Sequence, residues 1–242
     1  MKSISVITVT YNAAHILERT LKSVREQTYP HIEHLIVDGE SKDNTVALIR
    51  QYAHEKMVWV SETDKGLYDA MNKAAGMASG DYLCFLNAGD TFFAPDSVEK
   101  MMHTVEPENA PDIIYGETAI VDERGVFLSM RRLKAPEILT WKSFQQGMVV
   151  CHQAFIVKKE LFEPYDLSYR FSSDFDWCIR MMKKASLIHN TRLTLINYLH
   201  EGMTTTNRKA SLKERYRIMA KYYGQTSTFL HHIWFVVRAV IK

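Results

Sequence analysis

The stretch that decides the fold is Tyr82-Leu83-Cys84-Phe85-Leu86-Asn87-Ala88-Gly89-Asp90. Residues 82–86 are apolar or aromatic and predict a buried β-strand. Directly after them the chain becomes small, polar and acidic, and open α/β sheets bind ligands outside the carboxyl ends of their strands. A single aspartate after a strand is also a common turn former or helix N-cap. Asp90 taken alone therefore leaves both interpretations open.

Strands and helices alternate through the first half of the chain. Strands are predicted at 4–8, 34–37, 57–60 and 82–86, and helices at 14–27, 46–52 and 67–78. This spacing indicates βαβ units and a mostly parallel sheet. Polar residues follow each strand, and in a parallel sheet they would meet at one edge, where they form four loops: Thr10-Tyr11-Asn12, Asp38 to Asp43, Asp64 to Gly66 and Asn87 to Asp90.

The pattern changes after residue 95. The second half predicts a helix from 96 to about 104, strands at 113–116 and 154–157, a hairpin of strands 118–121 and 125–128, and strand character over 186–195. Ser172-Ser173-Asp174 opens a further helix, with a serine as its N-cap. These are mixed strands and irregular loops added to the same core. We expect one domain over residues 1–225, with halves 1–95 and 96–225, and a helix over 226–242.

Composition excludes several classes of protein. Of 242 residues, 30 are basic and 28 acidic, and the net charge of +2 argues against nucleic-acid binding by bulk electrostatics. Cys84, Cys151 and Cys178 are far apart in apolar surroundings, as expected for buried thiols in a reducing compartment. The N-terminus lacks the apolar core of a signal peptide, and no run approaches the ~20 apolar residues of a membrane-spanning helix. We expect a cytoplasmic location.

The C-terminal segment has the pattern of a basic amphipathic helix. The apolar residues of 229–241 share one side, while His232, Arg238 and Lys242 lie elsewhere. Such a helix can lie on lipid head groups, and a membrane-surface contact through 229–242 is the preferred interpretation. Burial in the core or in a dimer interface is the alternative.

Five ordered motifs together point to a known family. They are residues 7–12, Val37-Asp38 with Ser41 and Asp43, residues 64–73, Gly80-Asp81-Tyr82 and residues 85–90. These motifs resemble those of family-2 inverting glycosyltransferases with the GT-A fold, and are similar to those of bacterial exopolysaccharide enzymes of the colanic-acid type. The resemblance is strong over residues 3–95 and weaker up to about residue 205. It implies an α/β architecture, with a Rossmann-like, mostly parallel central sheet flanked by helices and a mixed, antiparallel acceptor-side half.

The resemblance implies a nucleotide-sugar donor at the four loops. Tyr11 would stack on uracil, and Asp38 would accept a hydrogen bond from the ring N–H; a core tyrosine and a turn aspartate are the alternatives. Tyr68 and Asn72 share a helix face towards the same place, although helix capping and packing would also explain them. The implied donor-binding residues are Thr10, Tyr11, Asn12, Asp38, Ser41, Asp64, Lys65, Gly66, Tyr68, Asn72, Asn87 and Ala88.

The resemblance also implies a divalent cation, Mn²⁺ or Mg²⁺, which stabilises the diphosphate leaving group. The family holds this cation with an Asp-x-Asp type motif. Here Asn87 and Gly89 replace two usual carboxylates, and Asp90 is the remaining acid and the expected metal ligand. One carboxylate binds weakly, so we expect the metal to arrive with the donor. His200 lies where related folds supply a further ligand or a lid, although Glu201-Gly202 replaces the usual Gly-Gly.

An inverting transfer needs a base that deprotonates the acceptor hydroxyl. The family's base is an acid that opens a late helix, and Asp174 matches it, with Ser173 in place of the glutamate that often precedes it. The implied acceptor or sugar pocket contains His152, Gln153 and Asp176. A histidine with a purely structural role is an equally good interpretation of position 152.

The implied function is transfer of a sugar from a nucleotide sugar, by resemblance a UDP-sugar, to a lipid-linked or oligosaccharide acceptor in cell-surface polysaccharide synthesis. The enzyme would act on the inner face of the cytoplasmic membrane. A sugar-nucleotide pyrophosphorylase would need a Gly-rich, basic phosphate loop after the first strand, which residues 10–15 do not supply. A nucleotide-sugar-binding subunit without catalysis would explain the missing carboxylates, but Asp174 argues against it.

Overall fold

The structure is a computed structural model that describes residues 1–200 and 208–240. Its strands are β1 (Ile4–Thr10), β2 (Ile32–Asp38), β3 (Met57–Ser61), β4 (Tyr82–Phe85), β5 (Thr91–Phe92), β6 (Ile113–Val121), β7 (Phe127–Met130), β8 (Phe155–Lys158) and β9 (Ile188–Leu199). Its α-helices are α1 (Ala14–Arg25), α2 (Thr45–Tyr52), α3 (Leu67–Met77), α4 (Ser97–His103), α5 (Ser173–Lys184), α6 (Arg208–Tyr223) and α7 (Gln225–Val240). Short 3₁₀ turns include Trp141–Gln146 and His152–Ala154.

These strands form one sheet in the order β3-β2-β1-β4-β8-β6-β9-β5, with β7 paired to β6. Strands β3, β2, β1 and β4 are parallel to one another. Strand β8 runs antiparallel to β4 and β6, while β6 runs parallel to β9. The predicted parallel first half and mixed second half are therefore confirmed. The carboxyl ends of the first four strands share one edge of the sheet, as expected.

Strand β1 shows how the sheet is covered on both faces, because its side chains alternate between them. Ile7 and Val9 belong to a core that includes residues of α3 and α5. Val6 belongs to the opposite core, with Val24 of α1 and Met101 of α4. Helices thus pack on both sides of the parallel strands, and β1 is buried along its whole length.

Several predicted strand boundaries in the second half were wrong. The segments expected as two strands at 113–116 and 118–121 are the single strand β6. Gly116 lies within this strand and does not end it. A glycine is needed here because β9 packs closely against it: a Cβ at Gly116 would lie 2.6 Å from the carbonyl oxygen of Leu193. The hairpin is confirmed by the antiparallel pairing of β6 and β7, although β7 begins at Phe127. Strand β9 continues to Leu199, past the predicted end at residue 195.

Two features around α5 also differ from expectation. Ser172 does not cap α5 with its side chain; its hydroxyl instead lies 3.1 Å from that of Ser211. Ser211 belongs to α6, a helix that the sequence pattern did not predict. The sequence of α6 is charged around most of its circumference, and its deeply buried apolar side chains are Ile218 and Met219. Such a helix has little periodicity by which to recognise it.

The predicted C-terminal helix is confirmed as α7, which begins after Gly224. Its outer side is apolar and exposed, and consists of Phe229, Leu230, Ile233, Trp234, Val236 and Val237. On its inner side, the ring centroid of His232 lies 5.0 Å from that of Tyr216 in α6. Ile241 and Lys242 lie outside the described residues, as does the segment 201–207. Across residues 1–200 and 208–240, no helix combines the length and apolar composition needed to cross a membrane.

Candidate active site

The first two loops of the shared edge are joined by hydrogen bonds. The backbone N–H of Asn12 donates to the Ser41 hydroxyl at 2.7 Å, and that of Lys42 donates to Asn12 Oδ1 at 2.8 Å. Asn12 adopts a left-handed conformation with φ of 49°, which asparagine tolerates better than most residues. Next to it, the Tyr11 side chain is 63% exposed. The two loops thus hold a solvent-exposed aromatic ring at the edge of the sheet.

Asp38, at the end of β2, holds the second loop in place. Its side chain is buried, and its Oδ2 accepts hydrogen bonds from the Ser41 backbone N–H at 2.9 Å and the Ser61 hydroxyl at 2.6 Å. The Ser41 hydroxyl donates to Oδ1. The carboxylate therefore connects the ends of β2 and β3, and further hydrogen bonds to a ligand would add to bonds that it already makes.

Gly39 brings the third loop against the first two, a role that the sequence analysis missed. A Cβ at Gly39 would lie 2.6 Å from Asp64 Oδ2 and 3.4 Å from the Tyr11 ring. Only glycine therefore leaves room for these two side chains to approach the loop. Asp64 Oδ1 accepts a hydrogen bond from the N–H of Gly66, which precedes α3 with φ of 113°. The signal for this contact was the Asp-Gly pair after β2.

Two polar atoms at the edge lack partners within the described residues. The hydroxyl oxygen of Thr10 and Oδ1 of Asn87 are both enclosed, yet neither makes a hydrogen bond. Leaving a buried polar group unpaired costs free energy, which a ligand with complementary groups would recover. Thr10 and Asn87 follow or end neighbouring parallel strands, so both are placed for a ligand at this edge.

Both oxygens of Asp90 are hydrogen-bonded within the protein. Its side chain is 4% exposed; Oδ2 accepts a 2.6 Å hydrogen bond from Gln153 Nε2, and Oδ1 accepts a 2.9 Å bond from the Leu199 N–H. Burial raises the pKa of Asp90 to about 7, and these two hydrogen bonds oppose the rise. Asp90 thus fastens the end of β4 to the end of β9 and to the turn that carries Gln153.

The adjacent Gly89 explains why the turn lacks a second carboxylate. Its φ is 95°, and a Cβ there would lie 2.8 Å from Cδ2 of Leu199 and 3.2 Å from Ile16. A side chain at this position would be both strained and too close to its neighbours. The missing acid at position 89 therefore follows from the packing of the turn between α1 and β9.

These residues limit how a divalent cation could bind. Within residues 1–200 and 208–240, no three His, Cys, Asp or Glu side chains gather into a metal site. A cation could bind Asp90 only by replacing one of the two hydrogen bonds of its carboxylate. The amide oxygen of Asn87, by contrast, accepts no hydrogen bond from the described residues. His200 is exposed and follows β9 directly. The donor set therefore fits a cation with one protein amide oxygen and other ligands from the bound substrate.

Asp174 lies in the first turn of α5, next to the shared edge. The Tyr68 hydroxyl donates to Asp174 Oδ1 at 3.0 Å, as does the N–H of Phe175 at 2.9 Å. Tyr68 belongs to the first turn of α3, directly after the Asp64 loop, so this bond ties the carboxylate to the edge. In the described part of the chain no donor contacts Asp174 Oδ2, which leaves that oxygen free to accept a proton.

Asp176, only two residues later, has a different environment. Its side chain is 1% exposed, and it accepts hydrogen bonds from Arg180 at 2.7 Å, Lys221 at 3.0 Å and Tyr222 at 2.8 Å. Lys221 and Tyr222 belong to α6, so Asp176 joins α5 to α6. Its oxygens are engaged with the protein, away from Asp174.

The other residues expected in the acceptor pocket lie under the site. His152 is buried with its ring nitrogen Nε2 2.7 Å from the Tyr165 hydroxyl, and burial lowers the pKa of His152. The Tyr165 ring in turn stacks on that of Tyr68 at 5.5 Å. Asn72 donates to and accepts from the Tyr165 backbone at 3.1 and 2.7 Å. The Gln153 amide donates its hydrogen bond to Asp90. These side chains support Tyr68 from below.

The remaining predicted donor residues lie at the surface of the edge. Lys65 and Gly66 are exposed, and the Lys65 N–H donates to Asp69 at 2.9 Å. Ala88 is half-buried against the core formed by α1 and α2. The structure thus brings the loops that carry Tyr11 and Asp64 together at one edge of the sheet, and the Tyr68 hydroxyl joins Asp174 to that edge.

Sequence comparison identifies relatives of this chain. The family model described as Glycosyl transferase family 2 matches residues 5–165. An uncharacterized glycosyltransferase of Mycobacterium tuberculosis is 34% identical over 183 residues, which are 74% of this chain and 68% of that protein. The Escherichia coli UDP-Glc:alpha-D-GlcNAc-diphosphoundecaprenol beta-1,3-glucosyltransferase WfgD is 22% identical over 222 residues, which are 90% of this chain and 86% of that protein.

Solved structures share the fold. S. aureus TarS 1–349 gives a TM-score of 0.72 at 17% identity, over 96% of this chain and 72% of that chain, and TarS was also solved with UDP-GlcNAc. The Pyrobaculum calidifontis mannosyltransferase PcManGT, solved with GDP-Man and Mn²⁺, gives 0.64 at 16% identity, over 95% of this chain and 74% of that chain. These likenesses confirm the GT-A fold. Because the family match covers most of the chain, this protein belongs to glycosyl transferase family 2.

Proposed function

We propose that this chain is an inverting glycosyltransferase whose base is Asp174. The observation that carries the proposal is the hydrogen bond between Tyr68 and Asp174, which fixes this carboxylate next to the shared edge; its Oδ2 accepts no hydrogen bond within the described residues. The acceptor hydroxyl gives its proton to Asp174 Oδ2 while its oxygen bonds to the anomeric carbon. The bond from that carbon to the diphosphate oxygen breaks on the opposite side, and the configuration inverts.

The donor in this proposal is a UDP-sugar. Exposed Tyr11 offers a flat surface for the base, and the unpaired Thr10 hydroxyl and Asn87 amide offer hydrogen-bonding partners. TarS was solved with UDP-GlcNAc, and WfgD is named for UDP-Glc, which favours uridine over other bases. The two halves of the chain then act as the donor side, residues 1–95, and the acceptor side, residues 96–225.

A divalent cation, Mn²⁺ or Mg²⁺, accompanies the donor in this proposal. Asn87 Oδ1 would be its protein ligand, because it is the oxygen of the turn that has no hydrogen bond within the described residues, and diphosphate oxygens would supply most of the remaining ligands. When bound, the cation neutralises charge that develops on the leaving diphosphate. Asp90 supports Asn87 from within the turn: its backbone N–H donates to the Asn87 carbonyl at 3.0 Å.

The acceptor in this proposal is a lipid-linked glycan at the inner face of the cytoplasmic membrane. Helix α7 exposes a continuous apolar side, and α6 beside it has six basic residues and one acidic residue. Apolar side chains that enter the lipid, with cations at the head groups, are the features of helices that lie on membranes. WfgD, by its name, acts on a diphosphoundecaprenol-linked acceptor.

The proposal is tested by incubating the chain with a panel of nucleotide sugars and following the released nucleotide, with chelator or with Mn²⁺. We expect one UDP-sugar to give UDP, with Mn²⁺ increasing the rate. Release of a nucleoside triphosphate after addition of pyrophosphate would instead identify a pyrophosphorylase. Donor binding without any product would identify a binding subunit. Thermal unfolding with each donor gives an independent readout, because a ligand of the native state raises its stability.

A further inference from the structure

Arg215 is a cation next to the proposed base that the mechanism above does not use. It lies on the side of α6 that packs against α5, in line with Ser211 one turn before it and with buried Ile218 and Met219 one turn after it. Ser211 contacts Ser172, the residue that precedes α5. The position of Arg215 on its helix therefore directs it to the start of α5, where Asp174 lies.

Neighbouring contacts hold α6 in this position. The backbone N–H groups of Arg170 and Phe171 both donate to the Glu214 carboxylate, at 2.9 and 2.8 Å. The Arg215 guanidinium carbon lies 5.8 Å from the ring centroid of Phe175, the residue after Asp174. The hydrogen bonds of Glu214 and Ser211 to residues 170–172 thus hold α6 so that the Arg215 guanidinium lies beside the first turn of α5.

The charge of Arg215 reaches the Tyr68–Asp174 pair. Burial raises the pKa of Tyr68 well above its ordinary value, the Asp174 carboxylate adds to the rise, and Arg215 opposes it. Within residues 1–200 and 208–240, Nε of Arg215 is enclosed and donates to no acceptor. By contrast, Lys221 of the same helix is paired with Asp176. The Arg215 side chain as a whole is half-buried and donates no hydrogen bond within the described residues, so its guanidinium keeps donor capacity next to the first turn of α5.

We propose that Arg215 binds a phosphate oxygen of a diphosphate substrate beside Asp174. A guanidinium is well suited to this task, because its fork of N–H groups matches two oxygens of a phosphate. This proposal rests on the glycosyltransferase function proposed above. In that reaction both substrates carry phosphate: the nucleotide donor, and the diphosphate that links the acceptor glycan to its lipid. The donor diphosphate departs on the side opposite Asp174, so the phosphate within reach of a cation beside Asp174 is that of the acceptor. A bond from Arg215 to this phosphate would position the acceptor hydroxyl at Asp174.

The test measures affinity rather than turnover. Calorimetric titrations use UDP, uridine and decyl diphosphate as probes, with wild-type chain and with Arg215→Gln, Arg215→Lys and Arg217→Gln. Arg217 is the matched control, because it is an exposed arginine on the same helix. Arg215→Lys retains the charge without the fork, and serves if Arg215→Gln does not fold. Thermal unfolding of each variant checks the fold.

We expect Arg215→Gln to weaken binding of decyl diphosphate by about tenfold or more, with the affinities for UDP and uridine unchanged and Arg217→Gln like wild type. A loss of UDP affinity with decyl diphosphate affinity retained would overturn the assignment of Arg215 to the acceptor. Unchanged affinity for both probes in the Arg215 variants, or an equal loss in Arg217→Gln, would overturn the role of Arg215 alone. A wild-type chain that binds none of the probes would contradict the proposed function as well.

Discussion

Two short segments of this chain each contain two polar residues, and in each the protein has already engaged one of the pair. In the turn after β4, Asp90 is buried with both oxygens hydrogen-bonded, while Asn87 Oδ1, three residues earlier, has no described partner. In the first turn of α5, Asp176 is held by Arg180, Lys221 and Tyr222, while Oδ2 of Asp174 accepts no hydrogen bond in the described part of the chain. An acidic side chain at a strand end or helix start therefore identifies a site only after its partners are known.

The largest effect is expected for Asp174→Asn, which tests whether Asp174 rather than Asp176 is the base. An amide cannot accept the acceptor's proton, so we expect the transfer rate to fall about 10²- to 10⁴-fold. The Tyr68 hydroxyl can still donate to the amide oxygen, so donor affinity and thermal stability should change little. Initial rates and calorimetry on the same preparation separate the two effects. A variant with wild-type rate would show that the base lies elsewhere.

Asp176→Asn should give the opposite result. It removes the charge from a buried group that faces Arg180 and Lys221, and breaking such a pair costs about 3 kcal/mol in the free energy of unfolding. Denaturant unfolding measures the loss, and the rate per folded molecule should stay close to wild type at low temperature. If activity disappears while stability is retained, Asp176 belongs to the catalytic machinery and the contrast within α5 fails.

Asn87→Ala tests the corresponding contrast in the turn after β4. Removal of the amide oxygen takes away the proposed cation ligand, so we expect the Mn²⁺ concentration for half-maximal rate to rise by about tenfold. Asp69→Ala is a suitable control, since this carboxylate lies outside the turn and accepts from Lys65. An unchanged Mn²⁺ dependence would leave the cation without a contact at Asn87.

Asp90→Asn tests the other half of the turn through the pH dependence of stability. The folded protein binds the Asp90 proton more tightly than the unfolded chain, because burial raises the pKa to about 7 from about 3.9. Stability from this group is present below the unfolded pKa and is lost as pH rises towards 7. The variant lacks that loss, so its stability relative to wild type should improve from pH 5 to pH 8. A stability difference between variant and wild type that stays constant from pH 5 to pH 8 would contradict the raised pKa of the buried Asp90.

The smallest effect is expected at α7. Phe229→Ser with Trp234→Ser should reduce binding to vesicles of anionic lipid several-fold, because each side chain contributes apolar area to the lipid contact. Val58→Ser with Val126→Ser is the matched control, since both valines are exposed far from α7 in sequence. Equal binding of the two double variants would favour the alternative, in which α7 packs in an interface between chains.

The parallel half of the fold was predictable because its signals are local. Apolar runs such as 82–86 bury both faces of a strand, and the turn residues after them mark the strand ends. The meeting of the Tyr11 and Asp64 loops at one edge also follows from the parallel order, whereas their close approach at Gly39 does not. Helix α6 was not predictable in this way, because its stability depends on Asp176 and Glu214 contacts with distant segments rather than on an apolar stripe.

The meeting of the four loops at one edge was predictable from their motifs and from the parallel strand order, and the hydrogen bond between Tyr68 and Asp174 joins α5 to that edge. The binding and catalytic roles of these residues stay predictions. The partners of Asp90, Asn72 and His152 come from residues 63 to 109 positions away or from a separate turn, and no local pattern shows them. Whether a polar group is free is a property of tertiary packing, which a single sequence does not display.

The central claim is that this chain transfers a sugar with Asp174 as the base. The most direct test is release of UDP from a panel of UDP-sugars with a lipid-diphosphate-linked acceptor and Mn²⁺, measured side by side for wild type, Asp174→Asn and Asp176→Asn. The account predicts acceptor-dependent release by wild type and by folded Asp176→Asn, and almost none by Asp174→Asn. Equal release by wild type and Asp174→Asn, or none from any donor, would contradict it.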